Sequence, residues 1–331
     1  MPRRSQLPDE LTSRPFTLNS ARLAGVQRSR TRAEDLWTPS RGIRIPKNAD
    51  VEGEARCQLY VEATPNSWLS HTSAAELFGI PLPPWFQKEP IVHLSRAFPD
   101  ARPQRKHVVG HSLKLIPGDT TAHRGLPTTS VSRTWLDLAG MLTFDDLIVA
   151  GDFVVSEHCR TFGPERTPMV QLSQLARYLR RQPGHRWIRK ARAAFEELRV
   201  GVDSPPETLV RLALQRAGLP EFRVNYPIED AAGDPRIWTD LGCPEFRTCI
   251  EYDGLHHLTP EQQARDATRD QMTAELGWKQ IKVNKLDVAT GSEWIELKVS
   301  RALRLQGWAG RPSPSPNSEI GWTRRRRGRQ S

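Results

Sequence analysis

The chain has 331 residues, 26% charged and 37% hydrophobic, with a formal net charge of +10. No stretch approaches the roughly 20 continuous apolar residues of a membrane-spanning helix, so a helical membrane protein is excluded. The length suits two or three domains with separate cores. The surplus of Lys and Arg favours a polyanionic partner, DNA above all, because neutralising phosphates releases counterions. Behind Met1-Pro2-Arg3-Arg4 lies no apolar segment, so a secretory leader is not expected and the chain is assigned to the cytoplasm. Cys57, Cys159, Cys243 and Cys249 form no Cys-x-x-Cys pair, which argues against a structural zinc site; Cys243 and Cys249 are expected as small buried hydrophobes.

In chain order, residues 1–15 are a polar Pro/Arg-rich arm expected to be disordered. Residues 16–50 have the outline of a winged helix-turn-helix. Ala21, Leu23 and Ala24 give a first helix its apolar face, Gly25 breaks it, Arg28 to Leu36 form a basic second helix, and Arg41 to Ile45 alternate as a strand. That second helix would offer Arg28, Arg30 and Arg32 to a DNA groove, although a small helical hairpin also carries surface arginines.

Residues 51–160 read as a mixed α/β region. It holds a helix over Ser73 to Phe78, strands over Pro90 to Leu94 and His107 to Leu115, and a helix from Ser132 with Trp135, Leu138, Ala139 and Leu142 on one face. His71, His93, His107, His111 and His123 show no ligand-type spacing and read as ordinary core or surface histidines. Residues 161–200 are a helical connector interrupted by Pro183-Gly184. Residues 308–331 are a basic tail ending in Arg324 to Arg327 and Arg329, read as a solvated charge run.

Residues 201–307 carry the most legible order. Ser204-Pro205-Pro206-Glu207 is a helix start, with Ser at the cap and prolines in the first turn. Leu209, Leu212, Ala213 and Ala217 form the buried stripe, and Gly218-Leu219-Pro220 ends the helix. Strands follow over Phe222 to Ile228, Arg236 to Leu241 and Thr248 to Asp253, then a helix over Pro260 to Leu276, a strand over Trp278 to Val283 and a closing helix over Val288 to Leu305. The order αβββαβα predicts a small mixed sheet flanked by helices, an α/β (α+β) fold.

Strand alternation sets Trp238 and Asp240 on one face, and Glu251 and Asp253 on one face of the next strand. If the two strands are antiparallel neighbours, Asp240, Glu251 and Asp253 meet at one end. Carboxylates at that density repel, and Mg²⁺, or Mn²⁺ in its place, supplies the missing charge with hard-oxygen geometry. One of His256 and His257, which follow a glycine turn, would transfer a proton. On the next helix, Arg269 would reach a phosphate or orient a carboxylate. Each residue alone reads as surface charge; the argument lies in the combination.

Together these residues resemble the PD-(D/E)XK nuclease superfamily, and within it the branch similar to very-short-patch-repair (Vsr) endonucleases. The matching pieces are Ser204 to Arg211, Asp240, Glu251-Tyr252-Asp253-Gly254-Leu255-His256-His257, then Asp266, Arg269, Asp270 and Leu276-Gly277-Trp278, spanning roughly 200–305. The resemblance implies a restriction-endonuclease-like fold, Asp240 and Glu251 as metal ligands, Glu207 as an auxiliary acid and His256 or His257 as the proton-transfer group. The superfamily's lysine, two residues after the second acid, is replaced by Asp253; Vsr-type enzymes also lack that lysine and place an aspartate before the glycine. Lys282, on the fourth strand, stands as a migrated charge or as a surface lysine.

Residues 15–155 look like the AbiEi-type antitoxins of abortive-infection systems. The resemblance rests on Ala24-Gly25-Val26, Arg41-Gly42-Ile43, Ser70 to Ala75 and Ser132 to Ala139. It implies a winged helix and a toxin or other defence-system protein as partner. The expectation is therefore a DNA-binding protein with a Mg²⁺-dependent endonuclease domain, acting in phage defence, mobile-element biology or DNA repair. The alternative is a transcriptional regulator or antitoxin whose nuclease fold no longer cuts.

Overall fold

Short apolar runs punctuated by Gly and Pro fold into many short elements. The computed structural model describes residues 6–49, 51–86, 91–158, 165–254 and 259–313. They divide into two units, Met1–Gly140 and Met141–Ser331. The split falls twenty residues before the expected end of the mixed region at 160, so the apolar run after Thr143 belongs to the second unit. Among the described residues no helix is long and apolar enough to cross a membrane.

The first unit opens with α1 (Asp9–Thr12), β1 (Phe16–Thr17) and α2 (Leu18–Leu23). The short helix at Asp9–Thr12 corrects the expectation of a disordered arm there. A 3-10 turn (Arg30–Arg32), β2 (Leu36–Trp37) and β3 (Ile43–Pro46) complete an antiparallel sheet of order β1-β3-β2. Thr17 caps α2 by accepting the Ser20 N–H at 3.0 Å. The basic helix expected from Arg28 to Leu36 does not form; one 3-10 turn takes its place. Arg30, expected to face a DNA groove, is instead buried and grips Asp35 through two bonds of 2.9 and 2.7 Å. A guanidinium clamped in this fork is spent inside the fold. Arg28 and Arg32 remain exposed.

Then follow α3 (Gly53–Glu62), β4 (Trp68–Leu69), α4 (His71–Phe78), β5 (Val92–Ala97), β6 (Val108–Leu113), β7 (Thr120–His123), β8 (Leu126–Thr129) and α5 (Val131–Leu138). The mixed sheet runs β6-β5-β4-β8-β7, with β5–β6 and β4–β8 parallel. Ser130 caps α5, and buried Arg133 holds Asp119 at 2.7 Å and Asp137 at 3.0 Å. The Ser132 to Ala139 segment is thus a capped core helix with a satisfied ionic anchor.

The second unit begins with α6 (Phe144–Val155), α7 (Leu172–Arg180) and α8 (Ile188–Glu196). Next come α9 (Pro205–Arg216), β9 (Arg223–Glu229), β10 (Pro235–Cys243), β11 (Thr248–Asp253), α10 (Pro260–Glu275), β12 (Lys279–Asn284), α11 (Lys285–Thr290) and α12 (Ser292–Leu305). The expected closing helix is split in two at Gly291, whose φ of +121° only glycine tolerates easily. The sheet order is β12-β11-β10-β9, antiparallel except for the parallel β11–β12 pair joined through α10. One face carries Leu241, Ile250, Ile281 and Val283 against Leu209 and Val210 of α9 and Ile295 and Val299 of α12. The other carries Ile228, Ile237 and Cys249 under Met272 and Leu276. Helices on both faces of a mixed sheet make this an α/β architecture. Cys243 and Cys249 are buried free thiols, as expected.

Candidate functional site

The helix α9 begins where the sequence places it. Prolines occupy its first turn, where a missing N–H costs nothing. Glu207, three residues after the Ser204 cap, turns back and accepts the Asp203 N–H at 2.9 Å and the Ser204 hydroxyl at 2.6 Å. These two bonds hold the buried Glu207 side chain at the N-terminal end of the helix, where Ser204 itself makes no side-chain cap bond.

Strands β10 and β11 form a hairpin in which Leu241 faces Ile250 and Gly242 faces Cys249. Asp240 and Glu251 lie one residue beyond the last pair of this register. Asp240 Oδ2 accepts the Tyr252 N–H at 2.7 Å, so its carboxylate is pulled onto β11. Thr239, buried beneath, donates its hydroxyl to the Ile250 carbonyl at 3.1 Å.

Strict alternation does not carry through this point. Ile237 packs under α10, whereas Leu241, four residues on, packs on the opposite face. β10 therefore changes face between them. The neighbouring strand changes with it: Thr239 pairs with Tyr226 and Leu241 with Val224, which puts Asn225 beside Asp240. Asn225 has φ +48°, a left-handed conformation that Asn accepts more readily than most residues. Gly242 lets the Tyr226 ring lie against β10, since a Cβ there would come within 2.7 Å of that side chain. The expectation that Trp238 and Asp240 share one face by simple period-two counting is corrected by this switch.

The carboxyl groups of Glu207, Asp240 and Glu251 act on one another. Burial, and then the Asp240 charge, push Glu207 up to about 7 against the pull of its bonds to Ser204 and Asp203. Burial, and then the same Asp240 charge, push Glu251 up to about 8, with Arg269 and Thr239 opposing and Glu207 adding to the rise. Three elements thus converge on one pool of negative charge with Asp240 at its centre. Perturbed carboxyl groups of this kind gather at functional sites because a concentrated charge is useful there.

Other predicted residues take different places. Asp253 stands at the exposed end of β11, beside Asn284 of β12. Arg269, expected to reach a phosphate or orient a carboxylate, takes the second place: it donates to Glu251 Oε1 at 2.8 Å and to the Trp238 carbonyl, which makes it a positioning residue for Glu251. Lys282 aligns with Glu251 in the parallel register, yet its ammonium pairs with Asp270 at the surface. His256 and His257 lie outside the described residues, as does Cys159. Thr239 and the Asp203 N–H leave no signal in the sequence, since neither belongs to a charged motif.

Oxygen donors of this type suit a hard divalent cation such as Mg²⁺, and the fit follows from the charges. Burial first and the Asp240 charge second raise Glu207 and Glu251, and a cation would relieve the repulsion that Arg269 only partly offsets. Two protein carboxylates suffice for Mg²⁺, which keeps several of its waters. Among the described residues, one set of three side chains has ligand atoms all within 4.8 Å of one another, His71, His93 and His111; the three carboxyls do not form so close a group.

Two proteins of Mycobacterium tuberculosis share part of the sequence: the uncharacterized protein MT2308 of strain CDC 1551 / Oshkosh and the uncharacterized protein Rv2248 of strain ATCC 25618 / H37Rv. Each is 29% identical over 140 residues, which is 42% of this chain. The match spans about half, 51%, of the length of these relatives. No protein-family model and no solved structure matches the chain.

Proposed function

We propose that residues 201–307 are a divalent-metal-dependent endonuclease domain of restriction-endonuclease-like fold that hydrolyses phosphodiester bonds in DNA. The single observation behind this reading is the mutual perturbation of Glu207, Asp240 and Glu251 at the start of one helix and the facing ends of two strands. Asp240 and Glu251 would hold the cation, which supplies Lewis acidity toward the phosphodiester when bound. Arg269 and the Tyr252 N–H keep Glu251 and Asp240 in place, and Glu207 adds negative charge from the helix end. The +10 charge of the chain draws it toward a polyanion.

A second reading, a DNA-binding regulator or antitoxin whose nuclease fold is silent, has a specific feature in its favour. The Arg269–Glu251 ion pair already neutralises one carboxylate, and Asp253 occupies the place of the superfamily lysine. Cleavage decides between them. Supercoiled plasmid with Mg²⁺ or Mn²⁺ is expected to be nicked or linearised by the wild type. Asp240→Asn and Glu251→Gln are expected to lose at least about 100-fold in rate, the upper end for outer-shell partners of a metal site. Binding to DNA without cleavage by the wild type, or full activity in either variant, overturns the enzyme reading.

A further inference from the structure

The first unit holds a second group of potential ligands that the nuclease reading does not use. His71 is the first residue of α4, His93 lies on β5 and His111 on β6. In the parallel register His93 aligns with Val109 and Ser95 with His111, so the two histidines share one sheet face, one step apart. His93 Nδ1 and His111 Nε2 are 2.9 Å apart. The His71 ring is stacked on His111 with centroids 3.7 Å apart and lies 5.7 Å from His93. One nitrogen from each ring falls within a 4.8 Å span.

We propose that His71, His93 and His111 form a three-histidine site for a divalent transition-metal ion of the zinc type, with the fourth position open to an exogenous ligand. Tetrahedral zinc with Zn–N bonds of about 2.0–2.1 Å places its nitrogens about 3.3–3.4 Å apart. The observed 2.9 Å pair and 4.8 Å span bracket that value.

The surroundings support this assignment. His71 Nδ1 is 3.0 Å from the Ser70 hydroxyl, which receives a 2.6 Å bond from Ser95. Such outer partners orient a ligating imidazole. His71 itself has φ +51°, a left-handed conformation that a non-glycine residue holds under strain. The Ser73 hydroxyl accepts the His93 N–H at 2.8 Å and ties β5 to α4. Burial above all, with the neighbouring imidazoles, lowers His93 to about 3. Burial and His71 lower His111 to about 4, against the opposing charge of Asp137. Nitrogen donors suit zinc, copper or nickel, whereas the carboxyl group of the second unit suits Mg²⁺, so the two sites call for different ions.

The test is titration of chelator-treated full-length protein with ZnCl₂ by calorimetry and with CoCl₂ by visible absorption. It is run in the Asp240→Asn/Glu251→Gln background so that carboxylate binding is removed. The expected result is one equivalent of Zn²⁺, the visible bands of tetrahedral Co²⁺, and at least about a 100-fold loss of affinity in His111→Asn and in His93→Gln. His123→Ala, outside the cluster, is expected to bind as the parent does. Circular dichroism reports whether each variant folds; if His93→Gln does not, the partly exposed His111→Asn decides. Absence of tetrahedral Co²⁺ bands in the parent, or unchanged affinity in a folded His111→Asn protein, overturns the proposal.

Discussion

Replacing Asp152 by Ala is expected to destabilise the second unit by about 3–5 kcal/mol, the usual cost of stranding one half of a buried ion pair. Asp152 sits on α6 and is 1% exposed. It accepts the Arg199 N–H at 2.8 Å, the Thr208 hydroxyl at 2.8 Å and Arg211 Nη2 at 2.9 Å. Burial raises its pKa, while Arg211 and these bonds pull the other way. Through them α6, the segment after α8 and the first turns of α9 share one anchor, and α9 is the helix that presents Glu207. Without Asp152 the buried Arg211 loses its counter-charge and keeps its bond to the Glu197 carbonyl. Urea unfolding followed by tryptophan fluorescence measures the loss. The double variant Asp152→Ala/Arg211→Met is expected to recover much of it, because two apolar groups replace a pair of buried charges. An Asp152→Ala protein as stable as the wild type would remove this anchor from the account of how the site is held.

Stability of the metal-free protein is expected to fall as pH rises from about 5 to about 8.5. Glu207 and Glu251 titrate near 7 and 8 in the folded chain against an ordinary value of 4.5. Their folded pKa values are raised, so the folded state binds more protons than the unfolded state between these limits, and the slope of stability against pH is negative there. The favourable contribution is complete below the unfolded pKa and is lost as pH passes through 7 and 8. Raising one pKa by 1 is worth about 1.4 kcal/mol, so the two rises bound the loss at about 8 kcal/mol, and the shared titration of the two groups makes it smaller. In EDTA, Glu251→Gln is expected to flatten the upper part of this slope and to exceed the wild type in stability at pH 8.5. Mg²⁺ is expected to stabilise the wild type more at pH 8.5 than at pH 6, because protons compete with the cation for the same oxygens. Denaturation midpoints across pH, with and without Mg²⁺, give the result; a flat profile would contradict the charge crowding around Asp240.

Much of the second unit's element order is legible because its signals are local. The Ser-Pro-Pro-Glu start of α9, the Gly277 stop after α10 and the alternation of Trp278 to Val283 each depend on a few adjacent residues. The α6 helix escapes such reasoning, although Thr143 caps it and Asp145 and Asp146 lie in its first turn. Its apolar residues surround the helix instead of forming one stripe, the pattern of a buried helix that periodicity does not reveal. Near the N-terminus, an arginine-rich run predicts a basic second helix, but Arg30 finds a carboxylate five residues away and the chain closes into a single turn.

By itself the sequence determined the αβββαβ order up to the split closing helix, the pairing of an acidic strand end with its neighbour and the burial of Cys243 and Cys249, because caps, periodicity and hydropathy act over a few residues. The tertiary structure alone decided which charges meet. It turned β10 and β9 over at Asp240 and Asn225, gave Arg269 to Glu251, placed Lys282 on Asp270, and brought His71, His93 and His111 together across 40 residues of chain. Each of these depends on distances through space between separate elements, and Coulomb and hydrogen-bond energies follow those distances, whatever the separation along the chain.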